Sequence, residues 1–127
     1  MQGSIAGFPC DVLIVDDPYN DHLEAHSLIV RENVWNNFVS VLLPRLQQGG
    51  GVLICCTRWH QDDLVGRLLE REPDKWRVLS YPSIAEEDEP RRAKGEPLSP
   101  RFSLESRLEH RERLGEYLWS ALFQQRP

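Results

Sequence analysis

The sequence lacks the features that mark a membrane or secreted protein. No apolar run approaches the roughly 20 residues that a membrane helix needs, and no charged segment followed by an apolar stretch marks a signal peptide. Three cysteines, an odd number, do not suggest a disulfide framework. Two of them, Cys55 and Cys56, lie inside an apolar run, and we interpret them as small buried hydrophobic residues. We therefore expect a cytosolic protein that makes no membrane contact.

An excess of positive charge is also absent. The formal net charge of -5 argues against a chain-wide electrostatic footprint for nucleic acid. A small basic island of Arg91, Arg92 and Lys94 follows an acidic run at residues 86–89, and we interpret this region as a solvated loop. The chain has 127 residues, 40% of them hydrophobic, which is enough for one modest domain with a core.

The stretch "DVLIVDDPYND" places two carboxylates directly after an apolar run. The four aliphatic residues 12–15 are typical of a strand that is buried on both faces of a parallel sheet. Asp16 and Asp17 follow this strand, and Pro18 ends it. An acidic pair at the carboxyl end of such a strand can hold a metal ion or orient a water molecule, whereas Asp-Asp-Pro is also good turn chemistry. This stretch alone leaves both interpretations open.

A helix and a second strand follow. Apolar residues at near-helical spacing predict a helix within residues 22–43, which Pro44 ends or bends. Residues 47–51 predict a flexible turn into a second buried strand over residues 52–56, which runs into Thr57. A strand, a helix and a strand form a crossover that makes the strands parallel. We therefore expect Thr57 at the same sheet edge as the acidic pair.

The alternation of strands and helices continues. Asp62 or Asp63 supplies the cap and first-turn charge of a helix that runs through about Arg71, and residues 78–81 predict a third short strand. The prediction is a three-layer α/β unit with a mainly parallel sheet and helices on both faces.

The last third of the sequence predicts little regular structure before a final helix. Residues 82–102 are rich in Pro, Glu and Arg, which indicates a long loop. Ser103 then opens a helical segment that Gly115 breaks or kinks.

Three pieces of the sequence, in this order, resemble the large terminase subunit of tailed phages, the motor ATPase that packages DNA into capsids. They are "DVLIVDDPYND", "CCTRWHQDDLVGRLLE" and "YLWSALFQQRP", and "TRWHQDDL" is the most specific part. The resemblance covers nearly the whole chain. It implies that residues 1–127 are part of a P-loop-NTPase-like ATPase domain, from Walker B to the junction before the nuclease domain. It also implies a phage or prophage origin and a location in the host-cell cytoplasm.

The resemblance implies roles for individual residues. Asp16 would help to hold Mg²⁺ through water, and Asp17 would polarise the water that attacks ATP, a place often filled by Glu in related ATPases. Thr57 matches the coupling element that senses the γ-phosphate and relays hydrolysis to the DNA-moving part. Arg58 belongs to the same element, and it either neutralises phosphate or pairs with a strand-end Asp. Both alternatives for Arg58 stay open.

The sequence departs from the family in one essential element. A phosphate-binding loop of the form G-x-x-x-x-G-K-[ST] is absent, and the three glycines at residues 49–51 have no Lys-Ser or Lys-Thr after them. In the family this loop lies upstream of Walker B, and the nuclease lies downstream of "QQRP". We therefore expect ATP hydrolysis only when another segment or subunit completes the domain. The other partners that the resemblance implies are the small terminase subunit, the portal protein and double-stranded DNA.

Two other classes of function remain compatible with the sequence. One is a small metal-dependent nuclease that uses Asp16, Asp17 and either Asp11 or Asp21 with two metal ions. The other is a non-catalytic remnant or assembly module that binds a partner through uncovered apolar faces, because a parallel sheet of about three strands has exposed edges.

Overall fold

A computed structural model describes residues 8–127, which form two compact units that divide after Asp74. The first unit contains a parallel pair of strands joined by a helical connection. Its elements in chain order are β1 (Cys10–Asp16), α1 (His22–His26), α2 (Leu28–Asn37), a π-helical turn (Phe38–Leu42), a 3₁₀ turn (Leu43–Arg45), β2 (Leu46–Cys55) and α3 (Leu64–Arg71). A 3₁₀ turn (Pro73–Lys75) spans the division between the units.

β1 and β2 pair in parallel, as the sequence predicts, and the register ends with Asp16 opposite Cys55. β2 begins earlier than predicted, because residues 47–51 belong to the strand and not to a turn. An irregularity in the register accommodates this glycine-rich segment. Gly50 lies so close to β1 that a Cβ atom there would be 2.7 Å from the Asp11 carbonyl oxygen. Only glycine permits this approach, so the glycines serve the strand pairing.

Local side-chain bonds fix the helix boundaries. Asp21 and Ser27 accept hydrogen bonds from the first turns of α1 and α2, respectively. Asp63 Oδ1 accepts one from the Gly66 amide at 2.8 Å, which makes Asp63 the N-cap of α3, as one of the two predicted alternatives. Pro44 lies in the 3₁₀ turn that ends the helical connection, which confirms its predicted role.

Only one face of the two-stranded sheet is covered among the described residues. Leu13 and Val15 are 8% and 2% exposed, whereas Val12 and Ile14, on the opposite face, are 61% and 63% exposed. Leu53, the β2 neighbour of Ile14, is 51% exposed. The prediction that helices cover both faces is therefore wrong for residues 8–74. The helices contribute to a single core, which contains Leu13, Val15, Tyr19, Ala25, Val34, Phe38, Leu42, Leu64 and Leu68.

Residues 78–81 do not form the predicted third strand, and the sheet of the described chain has two strands. Gln125 Oε1 accepts hydrogen bonds from Ser80 Oγ at 2.7 Å and from the Tyr81 amide at 3.0 Å. The Tyr81 amide is a group that a strand would offer to a neighbouring strand. The segment is apolar enough to resemble a strand, but its partner is a glutamine side chain. The observed fold is therefore a mixture of helix and strand, compatible with the α/β class, with a small parallel sheet.

The second unit, residues 75–127, consists of a long loop and a kinked helix. Residues 82–102 contain no helix, as predicted. α4 (Leu104–Leu118) begins after the cap Ser103, and a π-helical turn (Trp119–Phe123) follows it. Gly115 has φ 78° and ψ 165° inside α4, which confirms the predicted kink. Among the described residues, no helix is long and apolar enough to cross a membrane.

Candidate functional site at the strand ends

The carboxyl ends of β1 and β2 are joined by two hydrogen bonds. The Asp17 amide donates to the Cys55 carbonyl oxygen at 2.9 Å, and the Thr57 amide donates to Asp17 Oδ1 at 2.8 Å. Asp16 lies opposite Cys55 in the register. Asp16, Asp17 and Thr57 therefore lie at one edge of the sheet, as the sequence predicts.

Asp17 has a structural role that its sequence position does not indicate. Its φ is 37°, in the left-handed region that Asp and Asn tolerate better than most residues. In this conformation one carboxylate oxygen bonds the Thr57 amide, while the side chain remains exposed. A base function for Asp17 would use the same carboxylate that holds the two strand ends together.

Asp16 offers one accessible carboxylate to a metal ion, because it is exposed at the end of β1. Among the described residues, no group of three or more His, Cys, Asp or Glu side chains could hold a metal ion. Magnesium in nucleotide sites commonly takes one or two carboxylates and completes its shell with phosphate oxygens and water. Among the described residues, this edge therefore offers single carboxylates and not an all-protein metal cage.

The acidic residues that a two-metal nuclease would need lie elsewhere. Asp21 Oδ1 accepts a hydrogen bond from the Glu24 amide at 2.9 Å and so caps α1. Asp11 lies near the start of β1, at the opposite end of the strand from Asp16. Among the described residues, no three acidic, His or Cys side chains come together as a two-metal site would require.

Arg58 pairs with the helix cap and not with a strand-end carboxylate. Its Nε donates to Asp63 Oδ2 at 2.6 Å, and the Asp63 side chain is only 1% exposed. The other oxygen of Asp63 caps α3. The sequence left open a phosphate contact or a pair with a strand-end Asp; the observed partner, Asp63, is a helix cap and matches neither. The pair connects the segment after β2 to the first turn of α3.

An ion-pair cluster that sequence reasoning missed joins this segment to two helices. Asp62 accepts hydrogen bonds from Arg31 Nε at 3.0 Å and from Arg67 Nε at 2.7 Å. Arg67 also pairs with Glu32 at 2.9 Å. Arg31 and Arg67 are buried and come from α2 and α3, respectively. Asp62 and Arg67 are five positions apart, but Arg31 is 31 positions from Asp62, so local spacing does not bring the two helices together.

The cluster makes the unfolding free energy depend on pH in the acidic range. The hydrogen bond from Arg67, with a further one from Arg31, lowers the pKa of Asp62 to about 2. A carboxyl group with a lowered pKa stabilises the fold above its unfolded pKa of about 4, and this contribution is lost as the pH falls through 2. The Asp62 side chain is 39% exposed, so solvent screening reduces the effect to about 1 kcal/mol.

Urea unfolding at about pH 6 and about pH 2.5 measures this contribution. The original chain should lose about 1 kcal/mol more unfolding free energy between these pH values than Asp62→Asn does. An identical pH dependence in the two proteins would show that Asp62 keeps an ordinary pKa in the fold.

Two neutral polar groups lie beneath the strand ends. The Tyr19 hydroxyl oxygen accepts a hydrogen bond from the Leu64 amide at 3.1 Å, and burial raises the pKa of Tyr19 to about 12. Burial also raises the pKa of the Cys56 thiol to about 12. Cys55 is exposed, so its interpretation as a buried hydrophobic residue is wrong, because it lies on the uncovered face of the sheet. Cys56 is half-buried.

Comparisons of the chain with protein-family models, with curated proteins and with solved structures found no match.

Proposed function

We propose that the chain is part of a large terminase subunit and contributes the Walker B and coupling elements to ATP-driven DNA packaging. The observation that supports this function is the meeting of Asp16, Asp17 and Thr57 at the carboxyl edge of two parallel strands. Open α/β sheets bind their ligands at this edge. In this proposal β1 and β2 belong to a P-loop-NTPase-like sandwich of phage or prophage origin in the host-cell cytoplasm. A companion segment supplies the phosphate loop, and the small terminase subunit, the portal protein and double-stranded DNA are the other partners.

Each residue has a defined task in the proposed reaction. Mg²⁺, when bound with ATP, neutralises charge on the phosphates. Asp16 holds this ion through water, and the Asp17 carboxylate orients the attacking water. Asp17 also bonds the Thr57 amide, which leaves the Thr57 hydroxyl outside that bond and open to the γ-phosphate.

The structure offers a short covalent and ionic connection from the proposed phosphate sensor to a helix. Thr57 is followed by Arg58, whose ion pair with Asp63 leads into the first turn of α3. The Asp62 cluster joins the same segment to α2. A displacement of Thr57 on phosphate release would therefore be passed to two helices.

The first test of the proposed function concerns the metal ion. In the chain reconstituted with a polypeptide that carries the phosphate loop, Asp16→Asn should weaken Mg²⁺-ATP binding at least about tenfold, or about 1.4 kcal/mol. The carboxylate that holds the ion is lost, while the shape of the side chain is kept. Asp11→Asn is the matched control, since Asp11 is exposed on the same strand at its other end. Calorimetry measures both, and the chain alone should bind Mg²⁺-ATP weakly or not at all. Equal affinities for the two variants would exclude Asp16 from the metal site.

The second test separates hydrolysis from its use. Thr57→Val keeps the β-branched shape and the backbone amide bonded to Asp17, but it removes the hydroxyl. In the complete motor the length of DNA moved per ATP should fall about fivefold or more, with a smaller loss of hydrolysis. Thr57→Ser, which retains the hydroxyl, should preserve most of the coupling. A Thr57→Val motor that moves DNA with unchanged efficiency would make Thr57 an ordinary strand-end residue.

The uncovered sheet face favours one second candidate, a non-catalytic assembly module. Val12, Ile14 and Leu53 form an exposed apolar strip on this face, which a partner could cover without any nucleotide chemistry. If the chain is an assembly module, Asp16→Asn should leave partner assembly and packaging intact. If it is part of a packaging motor, Asp16→Asn should leave assembly intact but abolish packaging.

A further inference from the structure

We propose that the second unit binds a small aromatic carboxylate in a cavity of about 270 Å³, with Arg107 as the anion-binding residue. This volume lies just below the range of about 300–1,000 Å³ that is typical of drug-sized ligands. It suits a molecule with one ring and one carboxylate. The principal lining residues are Tyr81, Leu98, Phe102, Arg107, Leu122 and Phe123.

Arg107 is the cation on the wall of this cavity, and no carboxylate among the described residues pairs with it. Its Nε is buried and has no hydrogen-bond partner among residues 8–127. Its guanidinium carbon lies 4.0 Å from the centre of the Phe102 ring and 5.8 Å from that of Phe123. Aromatic rings interact with the faces of a guanidinium, but they do not satisfy the N–H groups at its edge. A carboxylate would accept hydrogen bonds from that edge and supply the missing charge.

Other arginines of the second unit already have carboxylate partners. Arg92 makes two hydrogen bonds to Glu89, at 2.7 and 2.9 Å, and Arg126 pairs with Glu86. A larger cavity lies beside the first one, and its wall carries Arg91 and Arg92, of which Arg92 is paired with Glu89. The smaller cavity differs in that its cation, Arg107, lies against aromatic rings, which suits an anion that carries a ring of its own.

Hydrogen bonds between distant segments hold the cavity walls in place. The Ser83 amide donates to the Phe123 carbonyl oxygen at 2.7 Å, and the Leu98 amide donates to the Ser83 carbonyl oxygen at 2.8 Å. Behind this wall, Gln124 both accepts from the Ile84 amide and donates to the Ile84 carbonyl oxygen. A ligand would enter a site whose walls are already ordered, so it would not lose affinity to loop ordering.

The Phe123 ring is fixed as well, because it stacks on Trp119 with ring centres 4.9 Å apart and an interplanar angle of 6°. Phe102, Leu98 and Leu122 supply further apolar surface. An aromatic ring fits these walls through offset or edge-to-face contacts. A cation beside aromatic and aliphatic side chains favours an aromatic acid over a neutral aromatic molecule or an inorganic anion.

NMR of the ¹⁵N-labelled full chain tests this proposal through the Nε–H resonance of Arg107. Sodium benzoate should shift this resonance with a Kd on the order of 1 mM, whereas benzamide, its neutral analogue, should not. Arg107→Lys keeps the charge but loses the planar fork, and it should weaken benzoate binding at least about tenfold, read from the amides of residues 98 and 123. Arg113→Lys is the matched control, because Arg113 lies exposed on the same helix and pairs with Glu109.

Equal shifts with benzamide, or no shift with benzoate at about 10 mM, would overturn the proposal. Unchanged benzoate affinity in Arg107→Lys would overturn it too. The comparison of benzoate with benzamide needs no substitution, so it remains decisive if Arg107→Lys does not fold.

Discussion

Replacing Asp17 by Asn in the proposed complete motor should reduce ATP turnover about 10²–10³-fold and leave nucleotide binding nearly unchanged. The Asn side chain retains an oxygen that can accept the hydrogen bond from the Thr57 amide, and Asn tolerates the φ of 37° at this position. The strand ends should therefore stay joined. In the proposed mechanism, what is lost is the negative charge that orients and polarises the attacking water, which matters mainly in the transition state.

Single-turnover hydrolysis and Mg²⁺-ATP affinity, measured in parallel, separate these effects. Asp17→Ala provides the structural comparison, because it removes the charge and also the bond to Thr57. We expect Asp17→Ala to lower the thermal stability of the chain and Asp17→Asn to preserve it. Native turnover in Asp17→Asn would assign the base to another residue and leave Asp17 with its structural role alone.

Replacing Asp63 by Ala should destabilise the first unit by about 3–5 kcal/mol. The substitution leaves the Arg58 guanidinium, which is largely buried, without its ion-pair partner. It also removes the N-cap of α3, a loss that alone costs about 1 kcal/mol. Because small domains are stable by only about 5–15 kcal/mol, this change approaches the whole stability of the unit.

Hydrogen exchange at the amides of α3 gives the relevant measurement, because it reports on the first unit separately. Asp74→Ala is the control, since Asp74 is an exposed acid in the same unit, and it should change the stability by less than about 0.5 kcal/mol. The double variant with Arg58→Ala should be less destabilised than the sum of the single changes, because the unpaired cation is gone. Additive effects would show that the Arg58–Asp63 pair carries little interaction energy.

The features that the sequence predicts correctly depend on local chemistry. Asp63 as a helix cap and Gly115 as a kink follow from neighbours within a few residues. The shared edge of Asp16 and Thr57 follows from the crossover rule for parallel strands. The features that it missed depend on partners chosen over long distances. Arg31, for example, contacts Asp62, which lies 31 positions further along the chain.

The predictions of a third strand and of two covered sheet faces are wrong for the same reason. An apolar segment such as residues 78–81 indicates that burial or pairing is favourable, but it does not identify the partner, which is Gln125. The aliphatic residues 12–15 likewise suit burial on two faces, while the described elements cover one. The apolar pattern shows that a segment can pair or be buried, and tertiary contacts decide what it pairs with and which faces are buried.

The bonds from Gln124 and Gln125 to the loop at residues 80–84 also set an order of events during protein synthesis. The first unit makes its β1–β2 contacts within residues 10–55, so it can acquire its fold while the rest of the chain is still being translated. The loop cannot do the same, because its glutamine partners lie some 40 positions further along the chain and are translated after it. Until those residues leave the ribosome, the backbone around Tyr81 and Ile84 stays open to proteases and chaperones.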